Sequence, residues 1–134
     1  MRQPNRGPRN LSGALAFAAG VAVVLACGNP SGEGNGCAGT GAQIIINAQD
    51  NQFVPARVTI SKGQTVCWQN VGSAQHTVTA TSVSLTTDSS WSADSVNQTL
   101  QPQSGIFIRT FSLQNANYFY KCTLHNETGE IDVR

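Results

Sequence analysis

The sequence predicts an all-β domain, a sandwich of seven to eight short strands over residues 42–134. Three observations predict it. Short runs rich in Val, Ile, Thr, Tyr and Phe recur along the chain, glycine and polar turns punctuate them, and no stretch carries a helical period. Charged residues are only 11% of the chain, so Thr, Ser, Gln and Asn supply its polarity, a composition that suits a β-protein outside the cytoplasm.

From Gln43 the strands follow in order. Ile44-Ile45-Ile46 reads as the first, and Phe53-Val54-Pro55 leads into Val58-Thr59-Ile60. Lys62-Gly63-Gln64 is a turn, after which Thr65–Asn70 alternates and places Val66 and Trp68 on one face, Cys67 on the other. Val71–Gln75 is a loop and His76-Thr77-Val78-Thr79 begins another strand. Residues 81–98 are polar and irregular around Trp91, either a docking feature or a long loop. Leu100 precedes a turn at Gln103-Ser104-Gly105. In the next strand Phe107, Arg109 and Phe111 share a face opposite Ile106, Ile108 and Thr110. Tyr118–Cys122 and Ile131-Asp132-Val133 complete the series. Short strands so spaced argue for a two-sheet sandwich.

The start of the chain reads differently. Arg2, Arg6 and Arg9 form a basic head before an apolar stretch, Leu11–Ala26. Its 16 residues are short of the roughly 20 that a spanning helix needs and suit a secretory signal. The stretch ends in Val24-Leu25-Ala26-Cys27-Gly28, which resembles a bacterial lipobox, so residues 1–26 are expected to be a lipoprotein-type signal peptide and Cys27 the lipidated residue. Residues 27–41 are glycine-rich and poor in apolar groups, and read as a tether between lipid and domain. The expected setting is export to a bacterial cell envelope, periplasm or outer surface, with a lipid anchor in the membrane. Without residues 1–26, five basic residues face seven acidic ones, a net charge of −2. No basic stripe exists for nucleic acid, and a monomer is expected.

The chemistry is concentrated in a few residues. The protein has two histidines, His76 and His125, and the second stands in Cys122-x-x-His125. Two imidazoles and a thiolate are the donor set of trigonal copper sites. A long gap followed by a short Cys-x-x-His is what different strands of a small sandwich bring together. A nucleophilic Cys–His enzyme would also need an orienting group and an oxyanion pocket, and no segment proposes either.

Four pieces of the chain, in order, carry a resemblance to a known family. They are Phe53-x-Pro55-x-x-Val58-Thr59-Ile60-x-x-Gly63-x-Thr65-Val66; Trp68-x-Asn70 with His76-Thr77-Val78; the turn at Leu100 and Gly105 with Phe107 and Phe111; and Tyr118-x-Tyr120-x-Cys122-x-x-His125 followed by Gly129-x-Ile131-x-Val133. Over residues 42–134 the chain resembles the cupredoxins, the small blue-copper proteins such as plastocyanin, amicyanin and pseudoazurin. The resemblance implies a Greek-key β-sandwich, one type 1 copper ion, His76, Cys122 and His125 as its ligands, and single-electron exchange with redox protein partners. It implies a carrier, not an enzyme. Asn70 and Thr77 are expected to support the ligand loops from behind.

The chain departs from the family at the fourth ligand. Its one methionine is Met1, so no methionine follows His125. Counting two residues back from Gly129 selects Glu127; counting three on from His125 selects Thr128; a longer loop would select Glu130. A site with no axial side chain is a further alternative. An oxygen donor is harder than a thioether and favours Cu(II), and a Cys, His, His, carboxylate set also suits tetrahedral zinc. Of the four cysteines, Cys27 fits the lipid and Cys122 the metal, which leaves Cys37 and Cys67 as an expected disulfide in an oxidising compartment. The alternatives to an electron carrier are a copper-binding or delivery protein, or a zinc-filled or vestigial binding module of the same fold.

Overall fold

The computed structural model describes residues 36–134. The expected signal peptide and Cys27, the expected lipidation site, lie outside the described residues. The described residues form nine strands: β1 (Ile44–Gln49), β2 (Gln52–Val54), β3 (Arg57–Ile60), β4 (Thr65–Asn70), β5 (His76–Ser84), β6 (Asn97–Leu100), β7 (Ile106–Thr110), β8 (Ala116–Lys121) and β9 (Thr128–Val133). No helix occurs among the described residues.

The strands build two sheets, ordered β2-β1-β4-β7 and β3-β9-β8-β5-β6. The chain crosses between sheets at β2–β3, β3–β4, β4–β5, β6–β7 and β7–β8, the connectivity of a sandwich. β1 runs parallel to β4 and β3 parallel to β9; the other pairs are antiparallel. The count exceeds seven to eight because two edge strands carry weak sequence signals. β2 has three residues and buries only Phe53, while β6 exposes Asn97, Gln98 and Thr99 and buries only Leu100. β5 also runs to Ser84, into the segment that reads as irregular.

Alternation sorts the side chains. Val66 and Trp68 point into the sandwich, where Trp68 stacks on Phe107 with ring centroids 5.3 Å apart and meets Tyr120 edge-on at 5.4 Å. Tyr118, Tyr120, Ile131 and Val133 answer from the facing sheet, all buried. Gly129 lies directly beneath Tyr120, and a Cβ there would enter the phenol ring.

Cys67 points away from this interior, as its alternation with Val66 and Trp68 requires, and bonds Cys37 with an S–S length of 1.94 Å. The Cys37 N–H donates to Gln69 Oε1 at 2.8 Å, and Thr40 closes a turn on the Cys37 carbonyl. The last residues of the glycine-rich segment are thereby fixed against β4.

Trp91 is part of the core. It is buried, its Nε1–H donates to the Phe119 carbonyl at 2.9 Å, and its ring packs on Phe111 and Tyr118. Arg109 lies over it at 5.1 Å and bridges to Asp88, which accepts a hydrogen bond from Tyr118 Oη at 3.1 Å. Burial, then the bond to Asp88, pushes the Tyr118 phenol up to about 12.

Candidate metal centre

Two connections position the functional side chains: residues 71–75 between β4 and β5, and residues 122–127 between β8 and β9. The first is set by Asn70. Its Nδ2 donates to the carbonyls of Ala74 at 2.8 Å and Leu100 at 3.0 Å, and its Oδ1 accepts the Gly72 N–H at 2.9 Å. One amide side chain thus closes the loop and ties it to the end of β6, and His76 emerges as the first residue of β5, fully buried.

The second connection is a tight loop. The Cys122 N–H donates to the Glu127 carbonyl at 2.8 Å and the Asn126 N–H to the Cys122 carbonyl at 3.1 Å. Asn126 takes a left-handed φ of 67°, which asparagine tolerates better than most residues. Thr77 joins the two connections. Its N–H donates to Cys122 Sγ at 3.3 Å, and its Oγ1 accepts the Thr123 N–H at 2.9 Å.

These loops bring four donors together. One ligand atom each from His76, Cys122, His125 and Glu127 lies within 4.8 Å of the others, and this is the set of metal-ligating side chains found so grouped among the described residues. The imidazoles present their Nδ1 atoms to it: His76 Nδ1 is 2.5 Å and His125 Nδ1 is 3.7 Å from Glu127 Oε1, and His125 Nδ1 is 3.8 Å from Cys122 Sγ. His76 and Cys122 are fully buried, the Glu127 side chain is 4% exposed and the His125 side chain 31%.

The chemistry of this set asks for a cation. A buried carboxylate is costly unless it is paired or holds a metal. Glu127 Oε2 is buried with no hydrogen-bond partner, and among the described residues no lysine or arginine bridges to Glu127. A soft thiolate with two imidazoles is a donor set that copper takes, and the His, Cys, His, Glu set fits one type 1 copper ion. Of the other fourth-ligand alternatives, Thr128 is an exposed residue opening β9, paired with Lys121, and Glu130 bridges to Arg57 at 3.1 Å while accepting from Asn117 Nδ2 at 2.6 Å. Neither joins the cluster.

The structure adds a residue that sequence reasoning passed over. Asp50, in the β1–β2 turn, places Oδ1 3.7 Å from His76 Nε2. Hydrogen bonds from Ser73 Oγ and the Ala74 N–H hold its carboxyl below the ordinary aspartate range. The only sequence signal was an Asp-Asn pair, which reads simply as a turn.

Comparison with known proteins bears on the fold and the family. The chain is similar in structure to amicyanin from Paracoccus versutus, at 22% identity and a TM-score of 0.54, over 68% of this chain and 80% of that one. It is also similar to a purple cupredoxin from Nitrosopumilus maritimus, at 22% identity and a TM-score of 0.53, over 68% of this chain and 99% of that one. A mutant plastocyanin of fern aligns at 22% identity and a TM-score of 0.56, over 67% of this chain and 99% of that one. At such identities the likeness speaks for the fold. No curated protein matches the sequence. The model of the plastocyanin/azurin family of copper binding proteins matches residues 41–134. The two-sheet sandwich, the Cys and His residues that converge in it, and above all the family match across residues 41–134 place this chain in the plastocyanin/azurin family of copper binding proteins.

Proposed function

We propose that this protein is a single-electron carrier of the bacterial cell envelope, tethered to a membrane by a lipid on Cys27 and exchanging electrons with larger redox proteins. It acts as a monomer, is not an enzyme and does not bind nucleic acid. His76 Nδ1, Cys122 Sγ and His125 Nδ1 are the ligands, and Glu127 Oε1 is the fourth. When bound, copper supplies a Cu(II)/Cu(I) couple. The observation that carries the reading is the convergence of these four donors within 4.8 Å on two interlocked loops.

The chain's own residues supply what a carrier needs. Asn70 fixes the loop before His76, and Thr77 binds both the thiolate and the Cys122 loop, so the donors are held by the sandwich whatever the charge at the centre. Little rearrangement means a low barrier to electron exchange. Burial of His76 and Cys122 keeps water from them, while His125 reaches the surface beside the exposed Leu124. That edge is where a redox partner would meet the site.

Voltammetry of the copper-loaded protein tests the proposal. A reversible one-electron wave is expected; a protein that binds copper and yields no such wave is a store or delivery protein. Glu127 gives the zinc alternative a specific footing, since a carboxylate completes a tetrahedral zinc set. Metal analysis of the protein purified from its own source separates the two, with copper bound on the reading proposed here and zinc on the alternative; displacement in vitro would not, because Cu(II) outcompetes Zn(II) at most such sites.

A further inference from the structure

The carboxylate behind His76 is placed with more care than a surface turn requires. β1 and β2 are joined by two residues, Asp50 and Asn51, between the paired Gln49 and Gln52, and Asn51 has a left-handed φ of 73°. That tight link leaves Asp50 little freedom. Its side chain crosses to the neighbouring loop, where Oδ2 accepts from Ser73 Oγ at 2.7 Å and Oδ1 from the Ala74 N–H at 3.0 Å. Gly72 makes room for it, because a Cβ at that position would stand 2.4 Å from Asp50 Oδ1. Oδ1 has a second lone pair, and it faces His76 Nε2 at 3.7 Å. Nε2 is buried and has no hydrogen-bond partner. A buried donor left unmade is expensive, whereas a side-chain adjustment of about 0.5–1 Å closes this gap to hydrogen-bond length.

We propose that Asp50 is a positioning residue for the metal centre: it receives the Nε2–H of His76, fixing the ring with Nδ1 toward Cys122, His125 and Glu127. The inference rests on the proposal that His76 Nδ1 is a metal ligand. A histidine that binds metal through one nitrogen carries its proton on the other, and a carboxylate on that proton both orients the ring and raises its basicity. The fixed turn, the two hydrogen bonds that aim the carboxylate and the space left by Gly72 all serve that contact. The extra negative charge favours Cu(II) over Cu(I).

Three variants test it in the copper-loaded protein: Asp50→Asn, Asp50→Ala, and Gly72→Ala, which keeps the carboxylate but displaces it. The readouts are the exchange rate of the His76 Nε2–H by NMR of the Cu(I) form and the reduction potential. Outer partners of metal-bound histidines are worth about 10–100-fold in affinity. Asp50→Ala is therefore expected to speed Nε2–H exchange at least tenfold and to change the Cu(II)/Cu(I) preference about tenfold, which raises the potential by about 59 mV. Asp50→Asn keeps an acceptor and is expected to raise the potential while holding exchange slow; Gly72→Ala should follow Asp50→Ala. Wild-type protein that takes up no copper at the thiolate overturns both the site reading and this inference. A normal copper band with exchange and potential unchanged in Asp50→Ala and Gly72→Ala overturns this inference alone.

Discussion

Replacing Glu127 by glutamine removes one negative charge from the donor set while keeping its shape. The donor atoms lie within 4.8 Å of one another, so a metal ion among them stands no more than about 4 Å from the carboxylate. At that separation, with an effective dielectric constant of about 20, a unit charge interacts with the extra charge of Cu(II) over Cu(I) by about 4 kcal/mol. At about 2.3 kcal/mol per 100 mV this is on the order of 170 mV. Glu127→Gln is expected to raise the reduction potential by that order. Glu127→Met should raise it at least as far, because a thioether is the softer donor and favours Cu(I). Voltammetry of the three proteins at one pH and ionic strength is the assay. Potentials that agree within about 30 mV, with unchanged visible spectra, would place Glu127 away from the metal, since a carboxylate so close cannot be electrostatically silent.

Removing the Cys37–Cys67 bridge, which spans 30 residues, through Cys37→Ala with Cys67→Ala should cost about 3.5 kcal/mol in urea denaturation by the loop-entropy relation, with the copper site spectroscopically unchanged. Trp91→Ala should destabilise by about 3–5 kcal/mol, because it opens the packing against Phe111 and Tyr118 and removes the indole hydrogen bond to the Phe119 carbonyl; a change below about 1 kcal/mol in the same assay would return Trp91 to the role of a surface feature. Asp88 makes stability depend on acid: partial burial pushes its carboxyl up, but hydrogen bonds from Ser90 and the Tyr118 hydroxyl, together with the positive charge of nearby Arg109, outweigh that and leave it below the ordinary 3.8. A carboxyl lowered on folding stabilises fully above 3.8 and loses that contribution as pH falls through its folded value, so urea midpoints of wild type and Asp88→Asn should differ near neutrality and converge in acid.

What the sequence disclosed depended on how local each signal was. Alternation in Thr65–Asn70 separates the inward Val66 and Trp68 from the outward Cys67, because side chains of a strand alternate whatever surrounds them. β2 and β6 escaped notice for the opposite reason. Each has a single buried residue and owes its existence to pairing with β1 and β5, which is tertiary information. Trp91 lies between polar residues that show no pattern, and only the fold reveals that its ring reaches Phe111 and Tyr118. Residue types and spacing carried the donors His76, Cys122 and His125, whereas counting along the loop gave conflicting answers for the fourth. The structure separates those answers in space: Glu127 turns into the cluster, and Glu130 turns out to Arg57. Asp50 was illegible, since an aspartate in a turn has an adequate local explanation and nothing in the chain order brings it near His76.

Titrating the metal-free protein with Cu(II) while recording the visible spectrum decides whether Cys122, His76, His125 and Glu127 hold a copper ion. An intense thiolate-to-copper band is expected that saturates at one copper per chain and is absent in Cys122→Ser. A wild-type protein that stays colourless, or a band that survives in Cys122→Ser, rules this site out.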